Sequence, residues 1–281
     1  MNLVDERFEL CSLISRLMPF EQLTGHNERD TKYQRKLEKT FAPHKTHAAV
    51  AFFAEHGIGF DAVGQFALRL EKHDGLYRLE PASQFPVDDD RWTAERAEAF
   101  MPLLNDFNCS TNFDEFYGAN KDFYTAESTK FYDREYSKID FPWLEKYMVN
   151  STLHVVFSPS LSNCNYGAFI GVRRYAIVPH NCELVHEFCH SIGNPLADEW
   201  YAADARFKQI CDDSVDVENQ PWYNAGYIMA REYVTRAFHV LYDMQHGETD
   251  LTARLAIEQN HSTHNTFPYM CEVYNMILET V

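Results

Sequence analysis

Residues 181–195 read Asn-Cys-Glu-Leu-Val-His-Glu-Phe-Cys-His-Ser-Ile-Gly-Asn-Pro and contain the pattern H-E-x-x-H. On a helix, side chains four residues apart lie on the same face, so His186 and His190 can direct two imidazole nitrogens at one point. Zinc accepts neutral imidazole at about 2.0–2.1 Å, and catalytic zinc sites commonly combine three protein ligands with an open position for water. Glu187 can reach that water and act as its general base. The motif therefore predicts two metal ligands and one catalytic base.

The flanks of the motif favour a buried helix. Apolar residues recur at helical spacing, at Leu184, Val185, Phe188 and Ile192. Asn181 has the side chain of an N-cap, and Gly193 followed by Pro195 predicts the C-terminal end of the helix. The alternative is a solvated helix face that carries two histidines and an acid by chance, and the apolar flanks argue against it.

Composition limits the classes of partner. The 281 residues include 42 acidic and 25 basic side chains, a formal net charge of -17, which argues against a nucleic-acid or anionic-membrane partner. No apolar run approaches 18 residues, so we expect no membrane span. Seven cysteines without C-x-x-C spacing, and an N-terminus without an apolar h-region, indicate a cytoplasmic protein, or an exported one if a signal peptide was trimmed.

The residue pattern predicts an α+β fold that is mainly α. Short β-branched runs at 151–157, 166–172 and 175–178 predict a small antiparallel or mixed sheet that leads into the motif helix and lies beside it. Residues 73–90 are expected to form a surface connection. Helices are predicted at 4–18, 33–41, 46–56, 60–70, 91–107, 112–136, 142–148, 204–211, 224–245, 251–259 and 267–278. Pro102 is expected to kink or split the helix at 91–107, and residues 112–136 are expected to form one or two helices. We expect one unit over 1–281, with a possible subdivision into a helical part, 1–150, and a part with the strands and site helices, 151–281.

Two imidazoles alone make a weak zinc site, so a third donor is expected. In the longer pattern H-E-x-x-H-x-x-G-x-x-H the third ligand would fall at Leu196, which cannot bind zinc. Glu232 is the favoured candidate, because its neighbours are apolar and Arg236 follows one turn later. The alternative is an ordinary i,i+4 Glu–Arg pair on a solvated face. Weaker candidates lie in an acidic stretch that looks exposed: Asp198, Glu199 and Glu218.

Candidates for stabilising a developing oxyanion lie around Glu232. Arg236 and His239 fall on the same side of the helix as Glu232, whereas Tyr233 does not. Tyr223 or Tyr227 could reach the site from the helix start. Four other histidines are expected to be solvent-facing or core residues: His154, His180, His261 and His264.

The segments H-E-F-C-H-S-x-x-N-P and E-Y-V-T-R-A together resemble the zinc metallopeptidases of the gluzincin type. More narrowly, nearly the whole chain resembles a bacterial family of predicted metallopeptidases that is catalogued as a domain of unknown function. The resemblance implies a zincin-like fold in which His186, His190 and Glu232 bind zinc and Glu187 is the general base. It also implies that Asn194 and Arg236 support these ligands.

The expected function is therefore that of a zinc-dependent hydrolase, a metallopeptidase acting on a peptide or protein substrate. Zinc-bound water, deprotonated by Glu187, would attack the scissile carbonyl, and Glu187 would return the proton to the leaving amine. The alternatives are a zinc hydrolase of a non-peptide substrate, a non-catalytic binding protein on the same fold, and a helical scaffold in which the motif is accidental. The oligomeric state is left open.

Overall fold

The computed structural model describes residues 2–19, 31–80, 89–148, 151–161, 165–179, 182–261 and 265–281. Helices account for 61% of it and strands for 10%, which confirms a mainly helical α+β chain. Contacts divide the chain into two compact units. The first comprises Met1–Ile139 and Asn150–Leu184, and the second comprises Asp140–Val149 and Val185–Val281.

The first unit is built around a helix that is buried over most of its length. Helix α1 (Glu6–Arg16) begins where the Asp5 carboxylate accepts hydrogen bonds from the amides of Arg7 and Phe8. It packs against two of the other helices, α3 and α4. The remaining helices of this unit are α2 (Lys32–Phe41), α3 (Ala48–Glu55), α4 (Val63–Ala67), α5 (Ala94–Thr111), α6 (Phe113–Ala119) and α7 (Lys121–Arg134).

Two predictions for the middle of this unit are wrong. The helix predicted at 60–70 is only the short α4, because the chain enters a strand at Leu70. The predicted surface connection contains a hairpin, β1 (Leu70–His73) and β2 (Leu76–Leu79), paired antiparallel. Asp74 and Gly75 form its turn with φ of 49° and 79°, and the Asp-Gly pair favours such a turn because glycine has no Cβ to clash.

Pro102 neither ends nor divides α5, which runs unbroken from Ala94 to Thr111. Aromatic packing supplies the compensation: Phe100 contacts the rings of Trp92, Phe66 and Phe53 at centroid distances of 5.9, 5.3 and 4.7 Å. Two helices, α6 and α7, occupy the region predicted to hold one or two.

The three predicted strands form one mixed sheet in the order β3-β5-β4. Strand β3 (Thr152–Phe157) pairs parallel with β5 (Arg173–Val178), and β4 (Tyr166–Ile170) pairs antiparallel with β5. The central strand has the longest buried run of the three, which ends in the fully buried Ala176, Ile177 and Val178.

The described residues of the second unit form helices joined by turns and loops, without a strand. It contains α8 (Phe141–Lys146), most of α9 (Leu184–Ala203), α10 (Ala205–Asp213), α11 (Gly226–Gln245), α12 (Leu251–Gln259) and α13 (Met270–Thr280). Helix α11 packs against α10, α12 and α13 and supplies the longest buried stripe. The predicted C-terminal end of α11 at residue 245 is confirmed, and Gly247, with a φ of 111°, follows it.

The predicted end of α9 at Gly193 and Pro195 is wrong, because the helix continues to Ala203. The φ of Gly193 is not in the left-handed region, which a glycine that ends a helix commonly adopts. It lies instead where α9 passes close to α11, and a Cβ placed on it would come within 3.0 Å of the Thr235 amide nitrogen. The glycine therefore permits a helix crossing.

The proposed N-cap Asn181, together with His180 and His264, lies outside the described residues. Within the described ranges, no helix is long and apolar enough to cross a membrane.

Candidate metal centre

Helices α9 and α11 bring three of the predicted ligands together. His186 Nε2 lies 3.8 Å from Oε2 of Glu232, and His190 Nε2 lies 3.5 Å from Oε1 of the same carboxylate. These distances exceed an ordinary hydrogen bond. They are close to the roughly 3.3–3.4 Å that separates two ligand atoms held tetrahedrally at about 2.0–2.1 Å from a common ion. The two imidazoles and the carboxylate are therefore spaced as candidate metal ligands.

Glu187 lies beside the two histidines. His186, Glu187 and His190 offer ligand atoms within 4.8 Å of one another, a grouping that could hold a metal ion. Only 4% of Glu187 is exposed. The carboxylate is thus close enough to act on a small molecule between these residues, and it is shielded from bulk water.

Hydrogen bonds define the tautomer of His190. Its Nδ1 lies 3.0 Å from Oδ1 of Asn194 and 3.1 Å from Oγ1 of Thr235. An amide oxygen only accepts, so Nδ1 carries the hydrogen, and Nε2 is the ring nitrogen that faces Glu232. Asn194 and Thr235 therefore fix the orientation of the His190 ring. Thr235 is a contact that the sequence does not point to.

His186 is held neutral by its surroundings. Burial lowers the pKa of His186 well below its ordinary value, and the nearby His190, Arg236, His239 and His261 lower this pKa further. A neutral imidazole is the form that binds metal. His261, which the sequence suggests to be a solvent or core residue, thus contributes to the electrostatics of the site.

Arg236 donates a hydrogen bond to the carboxylate of Glu232 and thereby fixes its orientation. Its Nη2 donates to Oε2 of Glu232 at 3.1 Å and to the hydroxyl of Tyr223 at 3.4 Å. Burial would lower the pKa of Arg236, but Glu232, Tyr223 and Glu258 outweigh it and raise this pKa above its usual value. Arg236 is 2% exposed, so it supports the site from within the protein rather than contacting solvent.

A second ionic layer continues from Arg236 into α12. Nη1 of Arg236 donates to Oε2 of Glu258 at 2.6 Å, and Nη2 of Arg254 lies 2.6 Å from the other oxygen of Glu258. Arg254 also donates to Asp243 at 2.6 Å. His239 lies 3.7 Å from both Glu258 and Asp243, with its ring 5.9 Å from that of His186. Sequence reasoning placed His239 here but missed Glu258, for which the i,i+4 Arg254–Glu258 pair was the available signal.

The other third-ligand candidates lie elsewhere on the surface of this unit. Asp198 belongs to α9, not to a loop, and pairs with Arg231 through two contacts of 2.8 Å. Glu199 and Glu218 are exposed.

Among the aromatic candidates, Tyr223 is the one that contacts the site. Tyr227 is 50% exposed. Tyr233 is fully buried, and its hydroxyl lies 2.8 Å from that of Ser214. In the first unit, His154 stacks on Tyr175 at 5.0 Å, as expected for a histidine with a structural role.

Comparison of this chain with protein families, with curated proteins and with solved structures finds no match. What the site can do therefore follows from its own residues and distances.

Proposed function

We propose that this protein is a zinc-dependent metallopeptidase with a zincin-like site. One observation carries the proposal: two imidazole nitrogens from α9 converge on the Glu232 carboxylate of α11 at 3.5 and 3.8 Å, with Glu187 beside them. Two neutral nitrogens and one carboxylate oxygen form the donor set of many catalytic zinc sites, which leave a fourth position open.

The charge of the buried cluster supports a divalent cation. Among the described residues, the carboxylates of Glu232, Glu258 and Asp243 pair with the guanidinium groups of Arg236 and Arg254, and the Glu187 carboxylate lies beside His186 and His190. These four carboxylates outnumber the two guanidinium groups by two. An uncompensated buried charge is costly, so a bound dication would lower the free energy of the folded protein.

Zinc bound there would polarise a substrate carbonyl and lower the pKa of water. Glu187 accepts the proton of the attacking water and passes it to the leaving amine, so its carboxylate acts first as a base and then as an acid. His186, His190 and Glu232 would hold the zinc ion beside Glu187.

Tyr223 supplies a hydrogen-bond donor for the charge that develops on the carbonyl oxygen. Burial, chiefly, and the charge of Glu232 raise the pKa of Tyr223, so it remains a phenol at neutral pH. Its hydroxyl oxygen accepts from Arg236, which leaves its own hydrogen available for the developing oxyanion.

The test compares wild type, Glu187→Gln and Glu232→Ala, purified without a histidine tag. Zinc is measured by elemental analysis, and turnover is measured on a fluorogenic peptide mixture and on ester and amide substrates. We expect about one zinc per wild-type chain, retained zinc with turnover reduced at least about a hundredfold in Glu187→Gln, and a large loss of zinc in Glu232→Ala.

Glu199→Gln is the matched control, since Glu199 is an exposed glutamate on the same helix, and it should retain zinc and turnover. Full activity of Glu187→Gln would remove its role as base. Absence of zinc from reconstituted wild type would refute the metal centre. Turnover of esters without turnover of peptides would keep the hydrolase and exclude the peptidase.

A further inference from the structure

Glu258 is the centre of a buried ionic network that does not itself reach the proposed ligands. The residue is 3% exposed, and each of its carboxylate oxygens contacts a different guanidinium, Arg236 at 2.6 Å and Arg254 at 2.6 Å. Burial alone would raise the pKa of Glu258, but the two arginines outweigh burial and hold this pKa below its ordinary value. Glu258 is therefore a buried carboxylate ion at neutral pH.

Arg236 joins Glu258 to the site through its two terminal nitrogens. Nη1 donates to Glu258, and Nη2 donates to the Oε2 oxygen of Glu232 that lies 3.8 Å from His186. The guanidinium thus fixes the orientation of the carboxylate. It also places a full positive charge next to the position of a bound cation, and like charges in a buried site repel strongly.

Glu258 removes that conflict. A guanidinium already paired with a second carboxylate can still donate a directional hydrogen bond to Glu232, while its charge is balanced on the side away from the metal. Without Glu258, Arg236 would compete with the cation for the same carboxylate. The contact with Glu258 thus lets Arg236 orient the Glu232 carboxylate through a hydrogen bond while Glu258 balances the positive charge of Arg236.

We propose that Glu258 is a positioning residue that sets the metal affinity of the site, acting through Arg236 on Glu232. The proposal rests on the proposed metal centre and assigns to α12 a role in it, because Glu258 is the α12 side chain that contacts Arg236.

The experiment measures the zinc dissociation constant by competition with a chromogenic chelator, using the full chain. Loss of an outer contact to a metal ligand typically weakens affinity about 10- to 100-fold, and this range is expected for Glu258→Gln. Glu272→Gln is the matched control. Glu272 also pairs with an arginine through two contacts of 3.0 Å, but on the surface, and its loss should leave zinc affinity unchanged within about twofold.

Transmission through Arg236 is tested in a second background. In Arg236→Met, Glu258 keeps its partner Arg254, and no guanidinium remains on Glu232. Adding Glu258→Gln to Arg236→Met should therefore change zinc affinity by less than about twofold, since coupled residues give non-additive effects. A merely structural role predicts the same loss in both backgrounds, and that result would overturn the proposal.

Thermal unfolding and secondary structure are recorded for each variant. Should Glu258→Gln fail to fold, Glu258→Asp replaces it, because it keeps the charge and withdraws the carboxylate from Arg236 by one methylene. It should show the same direction of loss, and unchanged affinity would refute the role. Wild type that binds zinc, with Glu258→Gln binding equally well, removes this inference and leaves the metal centre standing. Wild type that binds no zinc removes the metal centre itself.

Discussion

Replacing Gly193 by alanine tests whether the crossing of α9 and α11 sets the geometry of the metal centre. The added Cβ would lie 3.0 Å from both the amide nitrogen and Oγ1 of Thr235, and 3.2 Å from its Cα. Two of these atoms belong to the backbone of α11, so a side-chain rotation cannot relieve the contact. The two helices must move apart by a few tenths of an ångström.

Two opposing terms determine the stability of Gly193→Ala. Alanine is favoured over glycine in a helix interior by about 1 kcal/mol. Overpacking of a tight contact costs about 1–3 kcal/mol. The free energy of unfolding should therefore fall by about 0–2 kcal/mol. The effect on zinc affinity should be larger. Thr235 also contacts Nδ1 of His190 at 3.1 Å, and loss of an outer contact of this kind weakens metal affinity about 10- to 100-fold.

Urea unfolding and the zinc dissociation constant are measured for Gly193→Ala beside Gly118→Ala. Gly118 is an exposed glycine of α6 with no atom within 4 Å of an added Cβ, so its replacement should stabilise the protein by about 0.4–1 kcal/mol and leave zinc affinity unchanged. If Gly193→Ala behaves like Gly118→Ala in both measurements, the close crossing does not position the site.

Two further predictions concern single side chains. Asn194→Ala removes the acceptor that holds the Nδ1 hydrogen of His190, and zinc affinity should fall about tenfold or more in chelator competition; an unchanged constant would show that Thr235 suffices. Glu9→Gln removes a fully buried carboxyl whose pKa is raised, chiefly by burial, above its ordinary value of 4.5. In the wild type, the folded protein binds the proton of Glu9 more tightly than the unfolded chain does. The free energy of unfolding of the wild type should therefore fall, relative to that of Glu9→Gln, as the pH rises from about 4.5 through the raised pKa. A constant difference between their urea unfolding curves would contradict this.

Sequence reasoning succeeds for the fold where the signals are local and strong. Helices α1 and α11 lie within the predicted ranges 4–18 and 224–245, and the residues at their ends act locally: Asp5 caps α1, and Gly247, with a positive φ, follows α11. The predicted strand at 175–178 matches the continuous buried run of β5 but omits Arg173 and Arg174, with which the strand begins. The hairpin at Leu70–Leu79 was missed because its strands have four residues each and carry mostly charged or polar side chains, so only Asp74-Gly75 marked it.

The site divides in the same way. The relation between His186 and His190 is a property of one helix, and the spacing predicts it. The position of Glu232 depends on the packing of α11 against α9, so the sequence could only favour it among several acids. Glu258 and Thr235 act through contacts between elements far apart in the chain, 22 and 45 residues from their partners Arg236 and His190, and no local pattern announces such contacts.

The failure to predict the end of α9 connects the fold to the site. A glycine and a proline inside one helix cost about 1 and about 3 kcal/mol relative to alanine, so local propensity ends the helix at Gly193. Packing on either side outweighs that cost: Phe188 contacts Phe141 at 5.7 Å before the break, and Trp200 contacts Phe207 at 5.4 Å after it. Gly193 then allows the approach that places Thr235 on His190 and Glu232 near both imidazoles. A conflict between local preference and tertiary structure is expected at functional sites, and in α9 it lies one turn from the proposed ligands.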